Sequence, residues 1–284
     1  IVIGLVWVAI LVAQEAGGVQ EILSQAPEES FQFFPEPDFT SWVNYFGAWI
    51  ILGLGSIPSQ DIYQRVMASK SEKVAVRSTY LAGTFYLTFG LLPLFIALGA
   101  KVLYPELYLE NKQMLLPSMI LRHGGLPVQI VFFGALISAI MSTTSSGLLA
   151  PAAIISENII KPYFGDRLDD RHFLWILRLN VVFVAIIATI MASWESNIYE
   201  LVAGASILML VSLFVPLTAG LYWKNASKMG ALMSMVIGMI VYLVISNFEL
   251  SVEAHIYGLF ASIISMIAGS YFFPDKSKPN YELS

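Results

Sequence analysis

Long apolar segments succeed one another along the chain, at about residues 42–63, 75–100, 126–160, 173–193, 200–223, 229–246 and 255–273. Each is close to the length that a helix rising about 1.5 Å per residue needs to cross a hydrocarbon core about 30 Å thick. Several are interrupted by Gly or Pro, which membrane helices tolerate when neighbours satisfy the freed backbone groups. Segments of about ten residues with alternating polarity, the mark of a membrane β-barrel, are not seen. The chain also starts apolar, from Ile1 to Ala13. That stretch is too short to cross and lacks the basic region of a signal peptide, so it reads as the end of a span whose first half lies upstream. The pattern predicts an all-α polytopic membrane protein with eight crossings and a single transmembrane domain over residues 1–284, the back portion of a longer protein.

Polar positions between the segments carry an orientation signal. One set of connections holds Arg65, Lys70, Lys73 and Arg77, then Lys161, Arg167, Arg171 and Arg178, then Lys224 and Lys228, and finally Lys276 and Lys278 in the tail. These are 12 of the 15 basic residues. Residues 14–41 carry Glu15, Glu21, Glu28, Glu29, Glu36 and Asp38 with no basic residue, and Glu195, Glu200, Glu249 and Glu253 mark two further acidic connections. Only the 101–125 loop, with Lys101, Lys112 and Arg122, dilutes the alternation. The basic connections and the C-terminus are therefore expected in the cytoplasm, and the protein in the plasma (inner) membrane.

Composition narrows the function classes. Of 284 residues 57% are hydrophobic and only 12% charged, about half the charged fraction of a soluble domain. There is no cysteine, hence no disulfide frame or thiolate chemistry. The net charge of −5, without a long basic run, excludes a nucleic-acid partner. His123, His172 and His255 share no metal-ligand spacing, and no span carries a chain of buried acids. Trp42, Trp194, Trp223, Tyr222 and Tyr271 to Phe273 fall near span ends, as an aromatic belt requires.

Two polar clusters interrupt the apolar spans. Gly53 to Asp61 (GLGSIPSQD) places two glycines and a proline within six residues, which discourages a continuous helix. Broken helices build the midplane sites of many secondary transporters, although a kink that lets two helices pack closely fits the same pattern. The second cluster, Ser138 to Ser146, has six hydroxyls in nine residues. Ala139, Ser142 and Thr143 stand at i, i+3 and i+4, so a carbonyl and two hydroxyls share one helix face. Neutral hard oxygens suit a weakly held monovalent cation. Ser142, Ser145 and Ser146 repeat the spacing on an adjacent face. Hydroxyls that merely bond their own i−4 carbonyls are the competing explanation.

Gly55 to Arg65 (GSIPSQDIYQR), Ala139 to Ser146 (AIMSTTSS) and Phe214 to Trp223 (FVPLTAGLYW) followed by Lys224 resemble the sodium/solute symporters, which include proline, sugar, sialic acid and choline carriers. The resemblance implies an inverted-repeat five-plus-five helix bundle: the end of core helix 5, core helices 6 to 10, and two peripheral helices. It implies sodium held by the Ala139 carbonyl and the Ser142 and Thr143 hydroxyls. It further implies, for some members, a second sodium on Ser142, Ser145 and Ser146, completed by an acid that would lie upstream of Ile1. A solute pocket would fall near Leu52, Gly53, Ser56 and Ser59 on core helix 6, and near Ala203 and Ser206 on core helix 10. The IPSQDIYQR stretch is most similar to the choline-type branch, which has an aromatic where this chain has Ser59. Loss of that ring weakens a quaternary-ammonium cage. The expected function is sodium-coupled symport of a small organic solute, with sodium, solute and bilayer as partners. A symporter-like sensor module of a signalling protein is the alternative; no filter loop or charged ring points to a channel.

Overall fold

The computed structural model describes residues 2–105, 112–164, 169–194 and 197–275, without the side chains of residues 28, 29, 61 and 112. Ile1, Arg167, Glu195, Lys276 and Lys278, used above for the span pattern and orientation, lie outside the described residues. The described residues are helical, and they divide between two compact units: Ile1–Phe33 with Tyr63–Ser196, and Phe34–Ile62 with Asn197–Ser284.

In the first unit α1 (Val2–Glu15) turns by 72° into α2 (Val19–Gln25) through Gly17 and Gly18, both at positive φ, which glycine adopts without strain. Next come α5 (Glu72–Phe89), α6 (Leu91–Leu103), α7 (Leu115–His123), α8 (Leu126–Ile154) and α9 (Asp170–Trp194). Ser71 starts α5 by accepting a hydrogen bond from the Val74 amide at 3.4 Å, and Pro127 sits in the first turn of α8, where its missing N–H costs nothing. Leu5, Val8 and Val12 of α1, Ile22 of α2, Ile96 and Ala100 of α6, Met119 and Ile120 of α7 and Phe132 of α8 form one buried core. Beyond Ile154, α8 widens into a π-helical turn over Ile155–Ile160. There the Ser156 hydroxyl donates to the Ala152 carbonyl and accepts from the Asn180 amide of α9, each at 2.8 Å.

The second unit contains α3 (Phe39–Gly55), α10 (Ile198–Met209), α11 (Val215–Tyr222), α12 (Lys228–Ile245) and α13 (Ala254–Phe272). Asp38, Asn197 and Ser227 cap α3, α10 and α12, each side chain accepting a backbone N–H at 3.0 Å. Hydrogen bonds from the Ser41 hydroxyl and amide hold the exposed Asp38 carboxyl below its usual range. A π-helical turn at Leu210–Phe214 joins α10 to α11. α12 and α13 pack through small residues: Gly230, Ser234 and Gly238 on one, Gly258, Ser262, Gly269 and Ser270 on the other. A Cβ at Gly269 would lie 2.7 Å from the Gly230 Cα, so a side chain larger than hydrogen is excluded at Gly269. The buried Ser234 and Ser262 hydroxyls bond each other at 2.8 Å.

Among the described residues, six helical segments are long and apolar enough to cross a membrane, or seven if the bent α1–α2 pair is one span. Glu72–Leu103 counts as one, the two helices α5 and α6 meeting at Gly90. The span at 42–63 is interrupted where Gly53, Gly55 and Pro58 discourage a continuous helix: α3 stops at Gly55 after 17 residues and α4 (Gln60–Met67) begins only at Gln60. Seventeen residues rise about 25 Å, short of a full crossing. The cause is local, since Pro58 lacks the amide that a continuing helix needs at that position.

Candidate functional site

The hydroxyl cluster lies on α8, which is helical without interruption from Leu126 to Ile154. Its continuity puts Ala139, Ser142 and Thr143 on one face as the spacing required, with Ser146 one turn further along the same stripe. Ser142, Thr143 and Ser145 are exposed, and Ala139 and Ser146 half-buried. Several hydroxyls elsewhere in these helices fold back on their own backbone. Thr79, Thr84, Thr88 and Thr189 donate to their i−4 carbonyls at 2.8–3.0 Å. Among the described residues, no hydrogen bond engages the hydroxyls of Ser142, Thr143 or Ser145. A helical carbonyl such as that of Ala139 retains a second lone pair beyond its ladder bond. One carbonyl and two uncommitted hydroxyls are thus presented together.

Ser146 behaves differently from its neighbours. Its hydroxyl donates to the carbonyls of Ser142 at 3.0 Å and Thr143 at 3.2 Å, and accepts from Nη2 of Arg65 at 3.0 Å. A hydroxyl has one proton and two lone pairs, so a single lone pair remains.

The solute-pocket candidates all belong to the second unit, whereas the five sodium candidates belong to the first. Leu52 and Gly53 are exposed, and a Cβ at Gly53 would meet nothing within 4 Å. Ser56 and Ser59 are half-buried in the break between α3 and α4, where the Ile57 amide donates to the Leu54 carbonyl and the Ser59 amide to that of Ser56. Ala203 and Ser206 are buried, at 7% and 4% exposure. Ser206 is covered by Gly55: a Cβ there would stand under 3.0 Å from the Ser206 carbonyl oxygen and 3.4 Å from the Leu210 Cβ. Of the two glycines at the end of α3, Gly55 serves close helix packing and Gly53 leaves open space.

A model of the sodium:solute symporter family matches residues 1–238. The chain belongs to this family. Among its relatives are high-affinity choline transporter 1 of Drosophila melanogaster, 29% identical over 70% of this chain and 34% of the relative, and high affinity choline transporter 1 of Homo sapiens, 27% identical over 82% and 42%. The high-affinity proline transporter PutP of Bacillus subtilis (strain 168) is 29% identical over 87% of this chain and 52% of its own. The chain thus spans between about a third and a half of the length of these relatives. A solved structure, the substrate-bound outward-open state of a Na+-coupled sialic acid symporter, superposes with a TM-score of 0.74 over 97% of this chain and 61% of its own, at 15% identity. The fold is therefore the helical bundle of these symporters, multi-pass and truncated with respect to the five-plus-five arrangement. The family and the relatives are transporters, not enzymes.

Within this chain two polar assemblies are not visible in the sequence pattern. Arg65 was read only as a loop charge; its place in the QDIYQR motif was the available signal. The other assembly joins three elements of the first unit. His123 Nδ1 of α7 lies 3.0 Å from Glu15 Oε2 at the end of α1, and the Tyr104 hydroxyl just after α6 donates to Glu15 Oε1. The Arg122 guanidinium lies 5.2 Å from the Tyr104 ring centroid. Burial and the adjacent Glu15 carboxylate push the Tyr104 phenol up to about 12. His123, which shares no metal-ligand spacing with the other histidines, is part of a junction. Among the described residues no group of three or more His, Cys, Asp or Glu could hold a metal ion.

Proposed function

We propose that this chain is the ion-binding portion of a sodium-coupled symporter that moves a small organic solute across the plasma membrane by alternating access, its two units acting as parts of one transporter domain. The observation that carries the reading is the set of uncommitted oxygens on α8. Ser142 and Thr143 keep their hydroxyls free of the backbone bonds that occupy Thr79, Thr84, Thr88 and Thr189, beside the Ala139 carbonyl, on a helix matching the family model. Family membership and the fold likeness support sodium as the coupling ion. Sodium at these three residues would stabilise one state of the bundle and raise solute affinity there, a coupling that acts equally in reverse. Ser145 and Ser146, with Ser142, are the candidates for a second sodium.

Leu52, Gly53, Ser56, Ser59, Ala203 and Ser206 are proposed to shape the solute site. They offer small uncharged groups, and buried Ser206 and Ala203 would act through the position of α3. Relatives named for choline and proline transport support a small organic solute as the cargo. The basic connections support a cytoplasmic C-terminus.

The test is sodium-stimulated uptake of choline and of proline by the full-length protein. Ser142→Ala and Thr143→Ala should each raise the sodium concentration for half-maximal uptake at least tenfold. Sodium activation identical to wild type in both variants would overturn the assignment.

A further inference from the structure

Arg65 sits in the last turn of α4, and its guanidinium donates to Ser146 at 3.0 Å. Both residues belong to the first unit. The proton of that Ser146 hydroxyl is shared between the carbonyls of Ser142 and Thr143, which directs its lone pairs outward to the guanidinium. Ser146 lies one helical turn, about 5.4 Å, beyond Ser142 on the same face of α8. A permanently cationic group is therefore tethered one turn from three neutral oxygens that suit a monovalent cation. It lies on the side leading to Lys161 and the basic connection after it, which the charge pattern makes cytoplasmic. A cation leaving the triplet in that direction meets Arg65, and a cation entering from there is repelled by it. The hydrogen bond is exposed and made to a neutral partner, so it can break and reform as α4 moves against α8.

We propose that Arg65 is a gating residue on the sodium path: anchored on Ser146, its guanidinium closes the cytoplasmic end of the Ala139–Ser142–Thr143 site and opposes sodium entry from that side. The proposal rests on the sodium-site reading above. It assigns Arg65 a kinetic role distinct from ligation: closing slows both release and rebinding, so removing the gate changes rates more than affinity.

Radioactive sodium alone is the probe, bound to purified full-length protein and released by dilution into potassium buffer. Arg65→Gln and Arg65→Met should each accelerate sodium dissociation at least threefold, with equilibrium sodium affinity unchanged within twofold or tighter. Arg65→Lys keeps the charge without the forked donor and should fall between Arg65→Gln and wild type. Unchanged dissociation in both Arg65→Gln and Arg65→Met overturns the gate, as does acceleration matched by an equal loss of affinity. If Arg65→Gln does not fold, Arg65→Met decides alone, because it removes the charge and the hydrogen bond to Ser146 while keeping a long unbranched side chain. Failure of the wild-type protein to bind sodium is a separate result and overturns the sodium-site reading itself.

Discussion

Gly53 and Gly55 stand two residues apart in the same helix, and the structure assigns them opposite responses to one added methyl group. A Cβ at Gly55 would lie 3.0 Å from the Ser206 carbonyl carbon and closer still to its oxygen. These are backbone atoms of α10, so relief requires the two helices to separate until the contact reaches an ordinary 3.4 Å or more. Overpacking of this kind costs about 1–3 kcal/mol. A Cβ at Gly53 meets nothing within 4 Å, and there Ala should stabilise the helix by about 0.5–1 kcal/mol through the backbone freedom that glycine loses on folding. The two variants should therefore differ by about 1.5–4 kcal/mol in opposite directions around wild type. Thermal unfolding of the full-length protein in detergent reads the difference as Gly55→Ala melting below wild type and Gly53→Ala at or above it. Solute uptake adds a second readout, since separating α3 from α10 displaces Ser206 and should impair transport even in the folded fraction. Equal melting temperatures for the two variants would refute the close-packing account of Gly55.

Two further outcomes are expected. Ser234→Ala leaves the buried Ser262 hydroxyl without its partner and should cost about 1–3 kcal/mol, whereas Ser234→Ala with Ser262→Ala should recover part of that loss in a double-mutant cycle read by thermal unfolding. The raised Tyr104 pKa, near 12 against an ordinary 10.0, means that its contribution to stability is complete below pH 10 and lost as pH rises through 12. Alkaline titration of phenolate absorbance should show this late-ionising tyrosine, and Glu15→Gln should bring it down.

The apolar spans and the shared face of Ala139, Ser142 and Thr143 were legible because both depend on periodicity along a single helix. The break after Gly55 was legible for the same reason, through Pro58 and its missing amide. What Gly55 touches was not, because its partner Ser206 is remote in sequence and a glycine carries no mark distinguishing packing from bending. Arg65 and His123 were missed on similar grounds. A charge near a span end has an adequate local explanation as an orientation signal, and only the folded chain brings Arg65 to Ser146 and His123 to Glu15. The uncommitted state of the Ser142 and Thr143 hydroxyls was likewise invisible. Serine and threonine can always bond their own backbone, and whether they do depends on the rotamer each adopts.

Sodium-dependent stabilisation of the purified full-length protein tests the central claim most directly. A ligand that binds only the folded state stabilises it by about 2.7 kcal/mol when present at a hundredfold its Kd. The wild-type melting temperature should rise with sodium relative to potassium at equal ionic strength, and Thr143→Ala should abolish the rise without lowering the melting temperature in potassium. A Thr143→Ala variant that keeps the full sodium-dependent rise would contradict the account.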